Sequence, residues 1–198
     1  MKIIGLTGGV ATGKSTVAEQ LASLGAIIID ADQLSRDAVV PGTPGLARIT
    51  ELFGPAVLLP DGALDRQAVR TLVFNDPSKR RQLEIILHPA IKELATQRLD
   101  AARTNGAEVV VYMAPLLIEA GATDRVDEIW VVSVRPEVQL ERLMIRDRCS
   151  REQAAQIIAA QMPLAEKEGH GVVVIDNSGT LEETRRQVVA AWQQRVMA

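Results

Sequence analysis

The sequence predicts an α/β fold in which a parallel sheet is wound on both faces by helices, and three observations carry that expectation. Short, β-branched, unalternated apolar runs recur along the chain, as strands covered on both faces require. Segments of helical pattern stand between them. A glycine-rich turn joins the first run to the first helix, as a sheet edge that binds anions would demand.

In chain order, Ile3–Thr7 reads as a buried strand, followed by the glycine-rich turn and a helix from about Lys14 to Leu24, with Gly25 at its C-cap. Ala26–Ile29 is a second apolar run ending at Asp30, and Val109–Met113, Ile129–Val134 and Val172–Ile175 are the remaining strands. Helices are expected over Gln67–Phe74, Pro77–Arg103 with a break at His88-Pro89, Pro136–Arg146, Ser150–Gln161 and Leu181–Val196. Ser150 and Gln153 form an S-x-x-Q capping box at the start of one of them. The apolar stripe over residues 83–94 and Met162-Pro163 read as core packing. The stretch from Arg36 to Ala107 holds no convincing strand and is too long for one crossover helix, so it is expected to form a helical subregion that serves as a substrate platform.

The chain has 198 residues, 47% hydrophobic and 24% charged, with a net charge of −3. That length is roughly 1.3 average domains, hence one domain with an embellishment. Mild acidity argues against a protein whose work is neutralising a nucleic-acid backbone. One cysteine, Cys149, cannot close an intramolecular disulfide, and with only His88 and His170 beside it a zinc site is nearly excluded. The longest uncharged stretches fall short of the roughly 20 apolar residues of a membrane helix. No export signal is read at the start of the chain, because glycines interrupt the apolar region. A cytoplasmic protein without nucleic-acid or membrane partners is expected.

Gly8-Gly9-Val10-Ala11-Thr12-Gly13-Lys14-Ser15 fits G-x-x-x-x-G-K-[ST]. The glycines let the backbone turn tightly and aim successive N–H groups at phosphate oxygens, while the following helix adds the positive end of its dipole. Lys14 reaches the terminal phosphates and the Ser15 hydroxyl ligates Mg²⁺. Gly8, Gly9, Ala11, Thr12, Gly13, Lys14, Ser15 and Thr16 are thus the expected nucleotide site, with ATP and Mg²⁺ as cofactors. No Asn-Lys pair for guanine recognition occurs, and neither Val109–Met113 nor Ile129–Val134 ends in the acid of a motor-type ATPase, which leaves a phosphate-loop kinase-like fold.

Asp30 and Asp32 stand at the end of the second apolar run, on the sheet edge where ligands sit. A carboxylate there accepts a hydroxyl proton or supports the metal; equally, it caps the next helix. Between Arg135 and Arg151 five arginines face three acids. Arg142 and Arg146 share a helix face and either close over the transferring phosphoryl group as part of a lid or form a solvated surface. His88 reads on its own as structural or merely a surface residue, and Cys149 receives no role.

The ordered set of the phosphate loop, Asp30-Ala31-Asp32, Phe74, His88-Pro89, Pro115-Leu116-Leu117 with Glu119, Arg146–Gln161 and Val174-Ile175-Asp176-Asn177 resembles the dephospho-CoA kinase family from residue 1 to about residue 185. The resemblance implies ATP-dependent phosphorylation of the ribose 3′-hydroxyl of dephospho-CoA, giving coenzyme A. It implies a single kinase domain: a core (1–35, 108–139, 170–198), a helical acceptor-binding insertion (about 36–107) and a lid (about 140–168). Asp32 matches the acid that activates the hydroxyl, and His88, Pro115 and Leu116 would shape the acceptor pocket. Met113, Gln156-Ile157 and Gly171-Val172 depart from the family's common pattern. Two other readings stay open: a kinase for a nucleoside monophosphate or shikimate-like acceptor, and a nucleotide-binding switch without acceptor chemistry.

Overall fold

A computed structural model describes residues 1–74 and 76–197. The elements run β1 (Lys2–Gly8), α1 (Lys14–Ser23), β2 (Ile27–Asp30), α2 (Ala31–Asp37), α3 (Pro44–Phe53), α4 (Arg66–Phe74), α5 (Pro77–Thr104), β3 (Val109–Met113), β4 (Glu128–Ser133), α6 (Pro136–Asp147), α7 (Arg151–Ala159), α8 (Leu164–His170), β5 (Val173–Asp176) and α9 (Leu181–Arg195). The sheet order is β2-β3-β1-β4-β5, with β1 parallel to β3 and β4, and β4 parallel to β5.

The chain divides into two compact units, Met1–Ile29 with the chain from Ala102 onward, and Asp30–Ala101. In the first, Ile4, Leu6, Val111, Trp130, Val132 and Ile175 of the sheet pack with Val17 and Leu21 of α1 and Val188 and Trp192 of α9. The central strands β1, β3 and β4 carry no alternation because both of their faces are covered, whereas the edge strands β2 and β5 leave Ile27 and Val174 exposed. The register sets Gly8 beside Val132, and Ser133 beside Asp176, so β1, β4 and β5 finish at one edge. The second unit is helical, as expected, with a core of Ala38, Val39, Leu46, Ile49, Val57 and Val69.

Each predicted strand is present, and three of them are shifted by one residue so that Asp30, Glu128 and Asp176 join them. Ladder pairing uses the backbone and is indifferent to side-chain polarity, so an apolar run misplaces its ends. The expected break at His88-Pro89 is absent: α5 continues through Pro89. Proline removes one helical hydrogen bond, but Leu83, Ile86, Leu87, Ala90, Ile91 and Leu94 on both sides of it pack against the same core and hold the helix together. The helices α2, α3 and α8 were not individually foreseen. Of these, α3 carried a readable start, since the Thr43 hydroxyl caps it and Pro44 follows at the first helical position.

Candidate active site

The loop between β1 and α1 is built by backbone conformations that few side chains permit. Gly8 and Gly13 have φ of 152° and 85°, and a Cβ on either would collide, with the Val132 carbonyl oxygen and the Asn177 side-chain amide respectively. Ala11 holds φ at 58°, in the left-handed region. Thr12 is fully buried and its hydroxyl donates to Gly9 O at 3.0 Å. The Lys14 ammonium donates to Gly8 O at 3.0 Å and Gly9 O at 2.8 Å, so it lies folded along the loop. Ser15 and Thr16 occupy the first turn of α1, which carries no acid to offset the helix dipole. The Lys14 ammonium and the N-terminal end of α1 thus meet at this glycine-rich turn, an arrangement suited to a polyphosphate.

Residues far along the chain brace this loop. Gln139 of α6 donates through Nε2 to Val10 O at 2.8 Å, and Val10 N donates to Gln161 Oε1 at 2.8 Å. Asn177, just past β5, donates through Nδ2 to Thr12 O at 2.8 Å and accepts from the Thr184 hydroxyl at 2.8 Å. Arg142 reaches the same place, with Nη1 4.0 Å from where a Cβ on Gly13 would stand. Arg146 is directed elsewhere: it binds Asp147 through Nε at 2.7 Å and Nη2 at 3.1 Å, and that hydrogen bond raises its pKa further. Of the two arginines, only Arg142 is thus drawn to the loop.

After β3 the chain enters Pro115–Glu119. The Thr7 hydroxyl donates to Pro115 O at 3.3 Å, and the ammonium of the fully buried Lys167 donates to the same oxygen at 2.7 Å. Lys167 also pairs with Glu119 at 2.6 Å, and Met162 N donates to Glu119 at 3.3 Å. Burial opposes charge on Glu119, but the Lys167 hydrogen bond and charge outweigh it and hold the carboxyl below its ordinary pKa. Leu116 is exposed, whereas Leu117 is buried. Nothing in the sequence marks Lys167, which reads there as one more charge on a short helix.

In the Asp30–Ala101 unit, Asp30 caps α2 by accepting from Asp32 N at 2.9 Å, so the capping role open to either acid belongs to Asp30. Asp32 lies exposed in the first turn of α2. His88 is exposed on α5. A cavity of about 320 Å³ in this unit is lined by Val39, Ile49, Val69 and Leu87 together with Arg66 and Arg70. Among the described residues no three His, Cys, Asp or Glu side chains gather into a metal cage, and no helix is long and apolar enough to cross a membrane.

The profile of the dephospho-CoA kinase family matches residues 2–183. A dephospho-CoA kinase of Geobacter sulfurreducens is 57% identical over 195 residues, covering 98% of this chain and 99% of that relative. Among solved structures, TT1252 from Thermus thermophilus superposes with a TM-score of 0.84 at 34% identity, covering 98% of this chain and 97% of that one. The dephospho-CoA kinase from Campylobacter jejuni superposes with a TM-score of 0.69 at 23% identity over 100% and 98% of the two chains, a likeness of fold.

Proposed function

Because the chain belongs to the dephospho-CoA kinase family, we propose that it transfers the terminal phosphoryl group of ATP to the ribose 3′-hydroxyl of dephospho-CoA, giving coenzyme A. The observation that carries the reading is the braced loop Gly8–Ser15 in a chain that matches the family over nearly its whole length. This favours dephospho-CoA over a nucleoside monophosphate or shikimate-like acceptor, and favours a kinase over a nucleotide switch.

The N–H groups of Ala11 to Lys14 and the Lys14 ammonium bind the terminal phosphates. A new bond forms between the 3′-oxygen and the terminal phosphorus as the bond from that phosphorus to the β–γ bridging oxygen breaks. ADP leaves with the electron pair, and the hydroxyl proton passes to the Asp32 carboxylate. Arg142, beside Gly13, neutralises charge on the transferring group within a lid spanning about 140–168 that excludes water, and Arg146 joins it only on release from Asp147.

The single hydroxyl oxygen of Ser15, without a carboxylate cage, fits Mg²⁺, an ion that keeps most of its shell for water and substrate phosphates. When bound it offsets phosphate charge. The segment 36–107 receives the acceptor: two guanidinium groups beside an apolar wall suit a molecule with a diphosphate and a flexible apolar-amide arm. His88, Pro115 and Leu116 are assigned to acceptor recognition on the family resemblance. The site of action is the cytoplasm.

A direct test incubates the protein with ATP and, separately, dephospho-CoA, shikimate and nucleoside monophosphates, following both ADP release and phosphorylated product. Coenzyme A from dephospho-CoA alone is the expected result. Phosphorylation of another acceptor at a comparable kcat/KM, or nucleotide binding with no acceptor-stimulated ADP release, overturns the reading.

A further inference from the structure

Two carbonyls of the phosphate loop are held by side-chain amides that belong to other elements. Gln139 donates to Val10 O, and Asn177 donates to Thr12 O, each at 2.8 Å. In a trans peptide the C=O of one residue and the N–H of the next point in opposite directions, and no cis peptide occurs among the described residues. Holding Val10 O toward Gln139 therefore turns the Ala11 N–H away from Gln139. Holding Thr12 O toward Asn177 turns the Gly13 N–H away from Asn177. These are two of the N–H groups assigned above to the phosphates.

We propose that Gln139 and Asn177 are positioning residues for phosphate binding, each fixing a loop carbonyl so that the next residue's N–H faces the nucleotide; this rests on the reading of Gly8–Ser15 as the ATP loop. Neither side chain touches the phosphates in this account. Both act through the backbone.

Burial gives the arrangement its force. Gln139 is 5% exposed and Asn177 7%, so neither amide has bulk water as a substitute partner, and a lost bond strands a buried polar group. The orientation of Asn177 is fixed in turn by Thr184, whose fully buried hydroxyl donates to Asn177 Oδ1 and leaves Nδ2 to face Thr12. Val10 is held at both polar atoms, by Gln139 and Gln161, immediately before Ala11. A non-glycine residue at positive φ persists only where its surroundings over-determine it, and Ala11 has that support. Gly13 acquires a second reason to be glycine beside its positive φ: the Asn177 amide fills the space a Cβ would need, so the brace itself demands the close approach.

Asn177→Asp tests the proposal on the full chain. It keeps the side chain's shape and its bond from Thr184, yet it cannot donate to Thr12 O. Calorimetric titration with MgATP and with tripolyphosphate, a probe without base or sugar, should show both affinities falling about tenfold to a hundredfold. The KM for dephospho-CoA should stay within about twofold, since the acceptor does not touch this brace. Gln139→Met and Thr184→Val should shift the same two affinities in the same direction by smaller factors, and they decide the matter if Asn177→Asp does not fold. Unchanged tripolyphosphate and ATP affinity in the folded variants overturns the proposal, as does an equal loss for dephospho-CoA, which would mark a merely structural role. Tripolyphosphate binding needs no acceptor, so this outcome is independent of whether the wild-type protein makes coenzyme A.

Discussion

The phosphate loop and the Asp30–Ala101 unit solve opposite problems. Around the loop, Ile4, Leu6, Val132 and Trp130 are wholly buried, and the polar backbone of the turn is bonded to α6, to the link between α7 and α8, and to the chain beyond β5. The core cluster of the helical unit joins six buried residues to a wider fringe of half-buried ones, including Leu83, Leu87 and Ile91. Phe74 is 76% exposed and Ile85 68%. The contrast agrees with the proposed function: binding a triphosphate through backbone N–H groups would need fixed geometry, whereas an acceptor with a long flexible arm would be met by a thinly packed surface.

The largest test of that contrast lies at the loop's one charged side chain. Lys14→Ala should lower kcat/KM for ATP about 1000-fold, because no other side chain of the loop can replace a cation directed at the terminal phosphates. Retention of both ATP affinity and rate would mean the rigid region is rigid for some other reason. Next in size are paired cavity mutations followed by urea unfolding. Ile4→Ala should cost about 3–4 kcal/mol, while Leu87→Ala, starting only partly buried, should cost about half of that. Equal losses would erase the difference between the two regions.

The same contrast governs what could be read from the sequence. Gly8, Gly13 and Lys14 were legible because backbone chemistry at a phosphate restricts residue type at fixed spacing, and the central strands were legible because burial on both faces leaves unbroken apolar runs. In the helical unit the pattern was weaker. His88-Pro89 read as a break, yet packing on both sides carried α5 through it. Asp30 and Asp32 were open to the same two roles until the cap at Asp32 N assigned one of them to Asp30. The bracing role was not legible, although Gln161 and Asn177 fall in segments that carry the family resemblance. Gln139, Gln161 and Asn177 meet the loop across 129, 151 and 165 residues, and an amide's remote partner depends on how the elements pack, which no local pattern encodes. Lys167 was hidden for the same reason, a surface-type residue whose ammonium is buried against Pro115 and Glu119.

The proposed transfer depends above all on the Asp32 carboxylate as acceptor of the hydroxyl proton. Steady-state turnover of Asp32→Asn with dephospho-CoA, alongside its ATP affinity, tests this most directly. The expected result is a loss of at least about 100-fold in kcat with ATP binding nearly unchanged. Normal turnover in that variant would remove Asp32 from the mechanism.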